Sequence, residues 1–241
     1  RKATRVRVFE VGRVFRKDAS VTSSDETVEG FDQPMRVAGM AYGPAQPLQW
    51  GAKEQAVDFY DVKADVQALL APAELSFEAA DHPSMHPGRC ACVSLGERII
   101  GHVGELHPRW RQAWDLPQAP VMFELELDAV LQRTVPSFQN VSRFQAVERD
   151  IAVIVNESVT HAALMQAIHA APTQGLLRDA LLFDVYRPKQ AAAGLSDGEK
   201  SLAVRLTLNS DEATLTDAQI DAAMQAVLAQ LARDVGARLR A

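Results

Sequence analysis

The chain has 241 residues, a formal net charge of −6, 47% hydrophobic residues and 23% charged ones. This is the composition of a folded globular protein with one large or two modest domains. It holds no run of the roughly 18 apolar residues that a membrane-crossing helix needs, and its acidity argues against broad phosphate-driven binding of nucleic acid. A charged-then-apolar leader is missing, and the chain opens without Met on strand-like Arg5 to Val11. These features read as a piece of a longer protein.

From Arg5 to Phe15, Val6, Val8, Val11 and Val14 alternate with charged residues and are interrupted at Gly12, which predicts a strand bent at that glycine. Residues 16–33 are polar and predict a mobile hairpin loop, and Arg36 to Gly43 predicts the returning strand. Val57, Val62, Val66, Leu69 and Leu70 recur at helical spacing, and Pro72 stops that helix. Strands are predicted over Phe77–Ala80, Cys90–Leu95, Arg98–Val103 and Val121–Leu127, with a short helix or turn at Pro108–Trp114. Residues 132–140, with Pro136 and few apolar side chains, predict a linker between domains over 1–131 and 141–241.

The second half predicts a strand at Arg149–Val155 and a helix at Thr160–Ala171. A hairpin follows, from Leu181–Tyr186 to Ser201–Leu208 across a polar loop. A helix then runs from the N-cap Thr216 to Gly236, and Ala237–Arg240 is long enough for a last strand. The order β-α-β-β-α-β is that of the ferredoxin-like split βαβ unit, so the class is α+β. Strict alternation sends Leu181, Phe183 and Val185 to a covered face and leaves Asp184 and Tyr186 on the open one. Ser201 and Arg205 on the next strand, and Ala152 with Asp150 and Ile154 on the first, share that open face. A carboxylate beside an aromatic ring suits a nucleobase, which can donate to the one and stack on the other. The same pattern also fits an ordinary solvated strand face.

The segments VSRFQAVERDIAVIV, LLFDVY, KSLAVRL and ATLTD, followed by a helix and a terminal Leu-Arg, resemble the ferredoxin-like anticodon-binding domain of the bacterial phenylalanyl-tRNA synthetase beta subunit. FEVGRVF, VDFYDVKADVQALL, HPGRCA and IGHVGELHP resemble the class II synthetase-like core of the same subunit. The resemblance implies the C-terminal part of that subunit, with an antiparallel class II-like sheet domain followed by the ferredoxin-like domain. It implies a cytoplasmic α2β2 parent that joins phenylalanine to its tRNA with ATP and Mg²⁺, the chemistry lying on the alpha subunit. The implied partners are that alpha subunit and phenylalanine tRNA. It also implies that Ala152, Asp184 and Tyr186 meet the first anticodon base, a guanine, and Ser201 and Arg205 complete the expected RNA-binding set. Departures from the family pattern are Gln145 for Pro, Glu148 for Arg, and Arg187-Pro188 followed by a long loop in place of a Tyr-x-Gly turn.

Catalytic residues are not expected. Phe15-Arg16 stands where the second class II motif places its ATP-holding arginine, but Arg16-Lys17-Asp18 lacks the usual glutamate. The glycine-rich Gly101–Pro108 has no arginine in register. This piece alone is therefore expected to be inert and to hold no cofactor. A metal site is not expected either: His82 and His86 each precede proline, His102 and His107 add no ligand spacing, and Cys90 and Cys92 read as reduced core residues. Trp50, Trp110 and Trp114, in or beside loops, are expected on a partner-facing surface. The rivals are a small-molecule regulatory module and a purely structural interaction module. Asn156-Glu157-Ser158-Val159 lacks the Gly-rich turn that the regulatory module would use.

Overall fold

The computed structural model describes residues 3–25, 27–132, 138, 141–187 and 195–240. The chain divides into two compact units, Arg1–Pro136 and Ser137–Ala241. The first contains β1 (Val6–Arg13), β2 (Arg16–Lys17), β3 (Phe31–Asp32), β4 (Met35–Tyr42), α1 (Phe59–Leu70), β5 (Leu75–Ala79), β6 (Met85–Leu95), β7 (Arg98–Leu106), α2 (Pro108–Ala113), β8 (Val121–Glu126) and α3 (Leu127–Leu131). The second contains β9 (Val147–Asn156), α4 (His161–His169), β10 (Leu177–Tyr186), β11 (Glu199–Leu208), α5 (Asp217–Val235) and β12 (Arg238–Leu239). No helix among the described residues is long and apolar enough to cross a membrane.

In the first unit the antiparallel sheet runs β1-β4-β8-β7-β6-β5. Helix α1 starts where the Asp58 carboxylate accepts from the Tyr60 and Asp61 amides while the Asp61 side chain accepts from the Asp58 amide, a capping box with aspartate in the third position. Val57 and Val62 stand in the staple positions on either side of this cap, and both join the core. Val62 and Val66 of α1 share that core with Val93, Ile100, Val103 and Leu125 of the sheet. Burying each such side chain contributes roughly 1.5–3 kcal/mol.

Two local expectations change here. The polar stretch after β1 is not a bare loop, because β2 and β3 pair across it and Arg16 holds Asp32 at 2.5 Å. The strand expected to run through Leu127 ends at Glu126, and Leu127–Leu131 winds into α3 with Ala129 and Val130 buried. Arg98 binds both Glu126 and Asp128 and so ties the end of β8 to the first turn of α3.

In the second unit the antiparallel order β10-β11-β9-β12 is that of a ferredoxin-like sheet. Leu164 and Ile168 of α4 and Val227 and Leu231 of α5 pack with Ile151, Val153, Leu202, Val204 and Leu206 on one face. Caps set the helix ends. The Thr160 hydroxyl accepts from the Ala163 amide, Thr216 and Gln219 form a capping box, and Gly236 ends α5 at φ 62°.

Lys200 is buried on the core side of β11, and its ammonium donates to the carbonyls of Glu157 (2.8 Å) and Val159 (2.7 Å) in the turn before α4. Lys200→Met keeps the aliphatic stem but strands both carbonyls. It is expected to cost about 1–3 kcal/mol, read from the denaturant midpoint of this unit. An unchanged midpoint would show that the ammonium is dispensable.

Strand β10 breaks the expected alternation. Leu181 pairs with Arg205 and Leu182 with Val204, but the next pair is Asp184 with Ala203, so Phe183 is the extra residue of a bulge. Leu181 and Phe183, expected on the covered face, are 57% and 51% exposed. Leu182, expected on the open face, packs against the core instead. Val185, opposite the buried Leu202, remains exposed at the sheet edge.

Candidate nucleic-acid interface

The helices cover one face of the second unit's sheet, and the opposite face carries the candidate site. Its rows follow from the register. Leu181, Arg205 and Asp150 form one row; Asp184, Ala203 and Ala152 the next; Tyr186, Ser201, Ile154 and Arg238 the third. All five expected residues, Ala152, Asp184, Tyr186, Ser201 and Arg205, therefore stand on this face, although Leu181 joins them against expectation. Asp184 and Ala152 are two strands apart, roughly 10 Å, and neighbouring rows lie roughly 7 Å apart, a span that fits a nucleobase.

The five residues differ in availability. Arg205 is engaged: its Nε and Nη2 donate to the Asp150 carboxylate at 2.8 and 2.9 Å, Glu148 lies 3.5 Å from its Nη1, and its guanidinium lies 5.6 Å from the Phe183 ring centroid. The hydrogen bonds from Arg205 hold the Asp150 carboxyl below the usual carboxylate range. The pair is therefore complete above the ordinary aspartate range and is lost only as pH falls through that lowered value. Asp184 is exposed and makes no hydrogen bond or ion pair among the described residues, so its oxygens are open to a donor. Ser201 is 3% exposed, and its hydroxyl accepts from Arg240 Nη1 at 3.5 Å.

Sequence reasoning missed Arg240. Its guanidinium lies 5.1 Å from the Tyr186 ring centroid, and its amide donates to the Ala152 carbonyl at 2.8 Å, which continues the β12 ladder along β9. The signal was available in the last strand: alternation from Arg238 carries Arg240 to the same face.

The first unit offers little reactive chemistry. A groove of about 560 Å³ lies beside β4 and β8, and its lining includes His82, His102, Met40, Met122 and Phe123 but no lysine or arginine. The His82 and His102 rings approach to 5.1 Å, and burial pushes the His102 imidazole below its ordinary pKa. Burial pushes the Cys90 thiol up, away from the reactive thiolate. Among the described residues, no three His, Cys, Asp or Glu side chains gather as a metal site.

Residues 1–127 match the family model described as the phenylalanyl tRNA synthetase beta chain CLM domain, and residues 142–240 match the ferredoxin-fold anticodon binding domain. The chain belongs to the phenylalanyl-tRNA synthetase beta chain family. Phenylalanine–tRNA ligase beta subunits from Ralstonia nicotianae, Cupriavidus pinatubonensis and Dechloromonas aromatica are 49%, 47% and 46% identical to it. Each comparison covers 100% of this chain but only 29–30% of the relative, so the chain spans under a third of the length of the curated relatives it matches. The β10-β11-β9-β12 sheet lies within the region matched by the anticodon-binding model.

Proposed function

We propose that this chain is the anticodon-reading and structural portion of a phenylalanine–tRNA ligase beta subunit. Its working partners are an alpha subunit and phenylalanine tRNA, within a cytoplasmic α2β2 enzyme. Residues 1–131 form a catalytically silent class II-like core, 132–140 a linker and 141–241 the anticodon domain. ATP and Mg²⁺ belong to the alpha subunit's chemistry, which attaches phenylalanine to the tRNA.

The observation that carries the reading is Asp184, without a partner among the described residues and two positions from Tyr186 on an open sheet face. Asp184 accepts from N1–H and N2–H₂ of guanine, Tyr186 stacks on the ring, and Ala152 leaves space for the base. Exposed Trp50 and Trp114, the latter stacked on Trp110 at 5.6 Å, support a partner-facing surface on the first unit.

Tyr186→Ala, placed in the complete alpha–beta complex, tests the stacking role. It is expected to weaken tRNA binding by about 1–3 kcal/mol whatever the first anticodon base, because every base offers a face to stack on. Binding equal to that of the wild type for all four bases would remove Tyr186 from the interface.

A further inference from the structure

We propose that Arg240 is the residue through which this acidic chain grips the tRNA phosphodiester backbone beside the base pocket, working from one face of Tyr186. The proposal rests on the base-reading assignment of the open face and extends it to a residue outside the expected set.

Three contacts fix Arg240 in the site. Its backbone amide donates to Ala152 at 2.8 Å, its Nη1 donates to the Ser201 hydroxyl at 3.5 Å, and its guanidinium lies 5.1 Å from the Tyr186 ring centroid. It therefore touches three of the five residues expected to bind RNA.

Charge accounting singles it out. Among the described residues the open face carries three arginines, Arg205, Arg238 and Arg240. Arg205 is committed to Asp150 and Glu148, and Arg238 to Glu199 at 2.6 Å. Arg240 pairs with no carboxylate among the described residues. Its single side-chain hydrogen bond is long, which leaves most of its five donors for a ligand. A guanidinium held on a ring and free of a counterion suits a phosphate, whose oxygens it can meet in pairs. With Arg240 on one face of the Tyr186 ring, the base takes the other, and the backbone attached to that base comes within the arginine's reach. This also explains how a chain of net charge −6 can hold a polyanion: one placed cation substitutes for a broad basic surface.

The test uses the complete alpha–beta complex and two phenylalanine tRNA transcripts, one with the natural guanine at the first anticodon position and one with adenine there. Binding is measured across a salt series for wild type, Arg240→Gln, Arg240→Lys and Asp184→Ala. Arg240→Gln is expected to reduce the slope of log K against log salt by about 0.7, the value for one contact to a single-stranded phosphate, and to keep the guanine preference. Arg240→Lys is expected to restore the slope, because it keeps the charge. An Arg240→Gln slope equal to that of the wild type overturns the proposal. So does a reduced slope that Arg240→Lys fails to restore when both variants melt early, which would mark a structural role. If Asp184→Ala keeps the guanine preference, the base-pocket reading fails separately, and the slope comparison still decides whether Arg240 meets a phosphate.

Discussion

Asp184→Ala in the alpha–beta complex is expected to abolish the preference for guanine over adenine at the first anticodon position, with a loss of about 1–3 kcal/mol on the guanine tRNA. The reason is chemical. Guanine presents two donors along its Watson–Crick edge, and a charged acceptor rewards both, whereas adenine presents neither N1–H nor N2–H₂. The effect should be selective because Tyr186 and Arg240 remain to hold any base and its backbone. It should also leave folding nearly intact, because Asp184 is exposed and makes no intramolecular bond among the described residues. Aminoacylation of the two tRNAs, with thermal melting of the variant, separates these effects. A variant that melts normally and still prefers guanine would reduce this strand face to a solvated surface.

The second large effect is expected in the first unit, from a substitution that ordinarily stabilises a protein. Glycine inside a strand usually costs about 0.5–1 kcal/mol relative to alanine, so Gly101→Ala would be a gain by propensity alone. Packing reverses the sign. Gly101 lies in β7 opposite Leu125 of β8, and a methyl group there would press on the Glu124 carbonyl and sit 2.8 Å from the Leu125 Cα. Both obstacles are backbone, so no side chain can rotate away, and relief requires prising β7 from β8 at the middle of the sheet. The expected cost is about 3 kcal/mol or more. That corresponds to roughly a 10 °C fall in the first unit's melting transition, with the second unit's transition in place. A scan in which Gly101→Ala melts with or above the wild type would show that the strands have slack.

Much of the fold was legible because local chemistry and global packing agree. The stripe of Val62, Val66 and Leu70, the cap at Thr216 and the end at Gly236 all signal helices that the core then uses. The parts that were not legible depend on partners distant in sequence. Alternation alone could not show that Phe183 is surplus, because a bulge is defined by the strand beside it. Leu127 fits a strand pattern as well as a helix, and the contacts of Arg98 with Glu126 and Asp128 at the end of β8 come from a strand distant in sequence. The candidate site was readable as a set of residues on one face. Its electrostatics were not, since only the paired register of β11 and β9 commits Arg205 to Asp150, while Arg240 meets no carboxylate among the described residues.

The bulge in β10 also bears on how this candidate surface can be moved or remodelled. It acts as a change of reading frame in space. Ahead of it, Ala180 and Leu182 face the helices; behind it, Asp184 and Tyr186 face outward, an arrangement that unbroken alternation forbids. Deleting Phe183 would set Leu182 directly beside Asp184, opposite the consecutive partners Val204 and Ala203, so regular alternation alone would keep the leucine inward and the acid outward and only the exposed ring would be lost. A graft of Ala180 to Tyr186 that kept Phe183 would need the same bulge in its new strand, whereas the segment without Phe183 would suit a regular one.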